Sequence, residues 1–191
     1  MPKLAERLTS DRLILRLPTT DDAPELHDAV AASHPELSRW MEWAAGDEPQ
    51  SLEETRSFCK EAHRKWQECI EYPVLITLST TGEIVGASGF VAIDWDVPMF
   101  EIGYWVRTDC VGRGYGSEAA RRLACYAFEE LDAVRVELRM DTLNTRSWSI
   151  AERLGFEWEA TLKKIARVNN GELRDTRVYA MFSIADLKAP R

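Results

Sequence analysis

The chain has few of the features that classify a protein at a glance. Its four cysteines, Cys59, Cys69, Cys110 and Cys125, form no C-x-x-C pair, and its three histidines, His27, His34 and His63, are scattered along helical segments. That spacing carries no zinc signature, and no metal is expected. The opening stretch, MPKLAERLTSDR, is polar and has no apolar signal core. With unpaired thiols, this predicts a cytoplasmic protein. No apolar run reaches the length of a membrane span, so no membrane partner is expected. Positive charge is also short, with 24 Lys and Arg against 32 Asp and Glu, a formal net charge of -8. Non-specific nucleic-acid binding needs the opposite balance, so no nucleic acid is expected, while cationic partners such as amines are mildly favoured. There is no internal repeat, low-complexity tract or linker, and 191 residues predict one domain over 1–191.

What is present is a good core composition, 45% hydrophobic, arranged with clear periods. DRLILRL (Asp11 to Leu17) reads as a strand ended by Pro18. A helix follows from Thr20 or Asp21 through Ala32, and HPELSRWMEWA (His34 to Ala44) reads as a second, short helix. Ser51 with Glu54 makes a capping box that opens a long helix to about Cys69. PVLITLS and IVGASGFVAI, turned by TTGE, then MFEIGYWV, read as three strands. Apolar residues then recur at Ala120, Leu123, Ala124, Ala127, Phe128 and Leu131, a helical stripe. VRVELRMD alternates strictly as a strand, and Asn144 begins a helix stopped by Gly155. The tail reads as a hairpin, Phe156 to Val168 and Leu173 to Phe182, turned at Asn169-Asn170-Gly171. Helices first, then a mostly antiparallel run of strands, then strand–helix–strand–helix predict an α/β domain with a mixed sheet.

The stretch VGRGYGSEAARRL (Val111 to Leu123) puts three alternating glycines before a helix. It is not a dinucleotide fingerprint, because Ser117 takes the place of the third glycine in G-x-G-x-x-G. It is not a Walker loop either, since G-K-[ST] is missing. Two readings stay open on this stretch alone. Either free amides at a helix N-terminus, with Arg113 beside them, cradle a pyrophosphate, or the glycines only make a tight loop.

A second stretch, NTRSWSIAERLGF (Asn144 to Phe156), lies one helix and one strand further on. V-G-R-G-Y-G-S-E-A and N-x-x-S-x-x-x-x-x-x-L-G-F at this separation resemble the GNAT superfamily of acyl-CoA-dependent N-acetyltransferases. RLILR, EIGYWV and the closing NG–RDT–VYAM hairpin are similar to the RimJ/RimL type, the ribosomal-protein alanine acetyltransferases. The resemblance covers most of the chain. It implies the GNAT acyl-CoA-binding fold, a mixed, mostly antiparallel sheet with a splayed strand pair, flanked by helices. It also implies acetyl-CoA as co-substrate and, as is frequent among relatives, a homodimer.

Carried over by position, the resemblance assigns pantetheine to the backbone of Tyr104 and Val106, as in strand addition. It assigns the pyrophosphate to Val111, Gly112, Arg113, Gly114, Tyr115, Gly116 and Ser117. Val111 is a departure, because the superfamily commonly has Gln or Arg there. Ala151 stands where many relatives keep a tyrosine that protonates the leaving thiolate. RimL-type relatives use a serine three residues after the asparagine, which is Ser147 here. The plain alternative for Ser147 is that it caps its own helix, and Asn144 can be N-cap and cofactor contact together. Glu101 is the candidate base and Glu159 the second, either of which is otherwise a solvated strand residue. Trp40 and Trp43 are assigned to the acceptor side, with core packing as the alternative. Lys163, Lys164, Arg167, Arg174 and Arg177 on the last hairpin read as a solvated face.

The expected reaction is acetyl transfer from acetyl-CoA to a primary amine, with a protein N-terminal α-amine preferred, by direct attack in a ternary complex. The competing readings are a small-molecule acceptor (a polyamine, an amino acid or an antibiotic) and a non-catalytic acyl-CoA sensor.

Overall fold

A computed structural model of the chain describes residues 4–167 and 171–188. The period-two stretches become β1 (Arg7–Thr9), β2 (Leu13–Arg16), β3 (Tyr72–Leu78), β4 (Ile84–Asp94), β5 (Met99–Val106), β6 (Arg135–Asp141), β7 (Glu157–Arg167) and β8 (Leu173–Met181). The helices are α1 (Ala23–Trp40), α2 (Leu52–Gln67), α3 (Tyr115–Glu130) and α4 (Thr145–Leu154). One eight-stranded sheet results, in the order β1-β2-β3-β4-β5-β6-β8-β7. Residues Val168, Asn169 and Asn170 of the expected last turn lie outside the described residues.

The sheet is covered on both faces, which explains why β3, YPVLITL, is apolar almost throughout rather than alternating. Tyr72, Val74 and Ile76 face the larger core, with Phe100 and Ile102 of β5 and Ala120, Leu123 and Ala127 of α3. Leu75 and Ile84 face the other way, against Leu26, Val30 and Leu37 of α1 and Cys59 of α2.

Two expectations need correction. The helices foreseen on either side of Ser33 are one helix, α1, which runs through Pro35 to Trp40. Proline inside a helix removes a backbone hydrogen bond and costs about 3 kcal/mol. Beyond the proline, Leu37 is buried in the core that Leu26 and Val30 join from the earlier turns, and burial of such a side chain contributes about 1.5–3 kcal/mol. Packing therefore offsets the local signal. After Trp40 the chain turns through a 3-10 segment, Glu42–Ala44. The second correction is β1, a three-residue edge strand too short to leave a periodic trace.

The capping box at α2 forms as expected. Ser51 Oγ accepts from the Glu54 amide at 3.3 Å, and Glu54 Oε2 accepts from the Ser51 amide at 2.7 Å. Replacing Ser51 by Ala is expected to lower stability by about 1 kcal/mol. Chemical denaturation reads this as a lower midpoint with an unchanged slope.

The sheet's parallel pair positions the site. β4 pairs with β5 along the whole of β5, from Met99 to Val106. β6 pairs with β8 from Val136 to Asp141. Between β5 and β6 the pairing covers Met99–Glu101 against Arg135–Glu137 and then stops. Both strands continue past that point, so the sheet opens at their C-terminal ends. Ligands of mixed α/β sheets bind at such an opening.

Candidate active site

The loop after β5 enters α3 through two left-handed glycines. Gly112 has φ +81° and Gly114, the N-cap, has φ +83° and ψ 3°. Residues with a Cβ avoid that region, which explains the glycines there. No side chain caps α3. Its first amides have no partner within the helix and, with the turn before them, form a concave anion site. A Cβ on Gly112 would meet nothing within 4 Å, so the loop faces open space. One turn in, a Cβ on Gly116 would stand 3.3 Å from Val106 and 3.5 Å from Tyr104, so α3 lies close against the opened end of β5. The residues present fit a diphosphate at the helix mouth with a thioester arm running along β5.

On the face that carries α3 and α4, Tyr104 reaches from β5 to the first turn of α4. Its Oη lies 2.9 Å from Ser147 Oγ and 3.2 Å from the Ser147 carbonyl oxygen. Burial pushes the Tyr104 hydroxyl up to about 12, the Ser147 hydrogen bond pulling the other way, so it stays protonated through the neutral range. The cap of α4 is made by Asn144, whose Oδ1 accepts from the Ser147 amide at 3.2 Å. Ser147 therefore spends its hydroxyl on Tyr104 rather than on a cap of its own helix.

On the opposite face, Glu101 belongs to a chain of alternating charges that continues along β6. Arg139 lies 3.4 Å from Glu101 and 2.9 Å from Glu137. Glu137 is almost fully buried and also pairs with Arg135, which in turn grips Glu159 with both nitrogens. Burial raises the Glu101 carboxyl above the usual carboxylate range, Arg139 opposes the rise and Glu137 adds to it. Glu101 and Arg139 open into a cavity of about 300 Å³, bounded by Trp40, Met41, Glu42, Asp141 and Thr176 among others.

The expected acceptor residues divide. Trp40 lines the cavity, with Arg39 stacked 4.7 Å from its ring centroid and Glu36 accepting from its indole at 3.2 Å. Trp43 packs instead against Trp105, 6.2 Å between ring centroids. Glu159 does not border the cavity. Its hydrogen bonds with Arg135 hold its carboxyl below the usual range, which suits an ion-pair partner and not a base. The hairpin cations are more engaged than a solvated face implies. Lys163 pairs with Asp175 at 2.9 Å, Arg174 with Asp141 at 3.2 Å, and Arg177 lies between the rings of Trp148 and Trp158.

Residues 12–157 match the family model of the acetyltransferase (GNAT) domain. The chain is a GNAT acetyltransferase. Among solved structures this GNAT chain is similar to RimL, a ribosomal L7/L12 alpha-N-protein acetyltransferase determined with coenzyme A. The two are 26% identical with a TM-score of 0.86, over 95% of this chain and 100% of the other. It also resembles an acetyltransferase from Salmonella typhimurium described as modifying the N-terminal serine of 50S ribosomal protein L7/L12. There the identity is 27% and the TM-score 0.79, over 91% of this chain and 96% of that one. Among curated sequences it is 26% identical to the N-acetyltransferase p20 of Bacillus licheniformis, over 92% of this chain and 96% of the relative.

Sequence reasoning placed Tyr104 through its backbone alone and missed its hydroxyl. It also missed Arg139 and Arg39 at the cavity, because cations on alternating or helical faces carry no sign of where they point. Glu101 and Tyr104, three apart on β5, lie on opposite faces of the sheet, as the period of two dictates.

Proposed function

We propose that the chain, acting as one domain, transfers the acetyl group of acetyl-CoA directly to a protein N-terminal α-amine in a ternary complex. The observation that carries this reading is the parting of β5 from β6 beyond Glu101 and Glu137. The glycine loop, Tyr104 and Ser147 flank the opening from one face, and Glu101 with its cavity flanks it from the other. Donor and acceptor thus approach one gap from opposite sides, as direct attack requires. The backbone of Tyr104 and Val106 holds pantetheine, Gly112 to Ser117 hold the diphosphate with Arg113, and Val111 leads the chain into that loop. Glu101 takes the amine proton and later releases it to solvent. Ser147 gives its hydroxyl proton to the departing sulfur as Tyr104 passes its own to Ser147, and solvent then restores the Tyr104 proton. Trp40 forms a wall for the acceptor.

The preference for an α-amine rests on proton occupancy. An amine of pKa about 7.7–8.0 is roughly a tenth neutral at pH 7, whereas a lysine near 10.4 is neutral about once in thousands. A single carboxylate base is enough for the first and weak for the second. The test is mass spectrometry of peptides incubated with protein and acetyl-CoA. A peptide with a free N-terminus should be acetylated there, and its N-blocked form carrying an internal lysine should not. Label on the lysine, or on free polyamines and amino acids alone, would move the acceptor to another class.

The loop itself is testable by calorimetry. Gly114→Ala places a Cβ at φ +83°, 3.3 Å from the Arg12 guanidinium. The left-handed conformation costs a non-glycine residue about 1–2 kcal/mol. Acetyl-CoA affinity is expected to fall about tenfold. Unchanged affinity would mean that the loop amides do not form the site.

A further inference from the structure

Arg12, at the entry to β2, reaches across to the glycine loop. Its Nη1 donates to the carbonyl oxygen of Arg113 at 2.9 Å, and its Nε donates to Glu118 Oε2 at 2.7 Å. Its own backbone amide donates to Glu118 Oε1 at 2.8 Å, where Ser10 Oγ joins at the same distance. The guanidinium also lies over the Tyr115 ring, 5.0 Å from its centroid, and stands 3.3 Å from where a Cβ of Gly114 would be. One side chain therefore touches Arg113 and Tyr115, lies beside Gly114 between them, and holds the acid of the helix's first turn.

Two consequences follow from elementary chemistry. A trans peptide plane points its C=O and the next N–H in opposite directions. Holding the Arg113 carbonyl toward Arg12 therefore aims the Gly114 amide away from Arg12. Glu118 sits at the mouth of α3, where an ionised carboxylate repels a bound anion. Burial alone would raise its carboxyl, but the bonds from the Arg12 amide, Ser10 and the Arg12 guanidinium outweigh this and keep it ionised. The guanidinium of Arg12 cancels that charge at 2.7 Å.

We propose that Arg12 is the positioning residue of the diphosphate loop: it sets the Arg113–Gly114 peptide and neutralises Glu118. In this way the residue just before β2 removes a negative charge from the mouth of a loop whose Val111 brings no positive one. The proposal rests on the acetyl-CoA reading above.

The experiment compares two donors, acetyl-CoA and S-acetyl-N-acetylcysteamine, a thioester with no diphosphate or nucleotide. Arg12→Gln is expected to raise KM for acetyl-CoA about tenfold while KM for the short thioester and kcat change by less than about twofold. Arg12→Lys keeps the charge but loses the fork, and should show the same split in smaller measure. It also serves as the test variant if Arg12→Gln proves unstable. A merely structural loss would raise both KM values together, which would overturn the proposal. So would an unchanged KM for acetyl-CoA with wild-type turnover intact. Wild-type protein that does not bind acetyl-CoA in calorimetry would instead overturn the transferase reading, and the role of Arg12 with it.

Discussion

Ser147→Ala is expected to lower kcat about a hundredfold with little change in KM for acetyl-CoA. The reason lies in the hydroxyl pair across the opening. Tyr104 is protonated throughout the neutral range and lies 2.9 Å from Ser147 Oγ. With Tyr104 as the donor of that pair, Ser147 Oγ accepts and keeps its own proton for the departing thiolate. Removing Oγ leaves Tyr104 with the Ser147 carbonyl oxygen at 3.2 Å and leaves the thiolate without a proton source. The variant should fold normally, because the cap of α4 belongs to Asn144. The deciding measurement is a second donor, the acetyl thioester of an aryl thiol, whose thiolate leaves without a proton. Activity with that donor should be nearly equal in wild type and variant. If Ser147→Ala keeps its full rate with acetyl-CoA, Ser147 has no part in the chemistry.

Glu101→Gln is expected to cost about a hundredfold in kcat/KM at pH 7, the lower end of what a positioned base contributes. The lower end applies because roughly a tenth of an α-amine is already neutral there. The pH profile carries the sharper signature. A base works only when ionised, and burial raises the Glu101 carboxyl above its ordinary range. Wild-type activity should therefore fall as pH drops through that raised value, at a higher pH than an ordinary carboxylate would give. The Gln variant should lose this limb and keep the limb set by the acceptor amine, near 7.7–8.0. Gln preserves shape but gives up the ion pair with Arg139 at 3.4 Å, so thermal unfolding should accompany the rates. A variant profile that still carries the acidic limb would remove Glu101 from the role of base.

Much of this protein is written locally. Hydrogen bonds between near neighbours decide the start of α2, and Ser51 with Glu54 announces them. The glycines of Gly112–Gly116 mark a strand-to-helix turn because left-handed backbone tolerates little else. Strict alternation in VRVELRMD and a helical stripe from Ala120 to Leu131 identify β6 and α3 because each period maps directly onto one buried face. The order and spacing of these pieces were enough for the family.

Other features depend on residues far apart in the chain. Pro35 looks like a break, yet α1 continues, because carrying the helix on buries Leu37 in the same core as Leu26 and Val30, which offsets one lost hydrogen bond. Glu159 resembles a second candidate base until Arg135 is found to hold it. Nothing in either strand's own sequence says that β5 and β6 part after Glu101 and Glu137, since both read as uninterrupted strands. The pairing of Tyr104 with Ser147 and the clamp of Arg12 on the loop are likewise contacts between segments with no local relation. Sequence alone determined most of the strands and helices, the glycine turn into α3 and the family they compose, because those follow from short-range sterics and hydrogen bonding. Only the tertiary structure decided which hydroxyl meets which, which of the two candidate bases borders the cavity and at which residues the sheet opens, because packing between distant segments sets those distances.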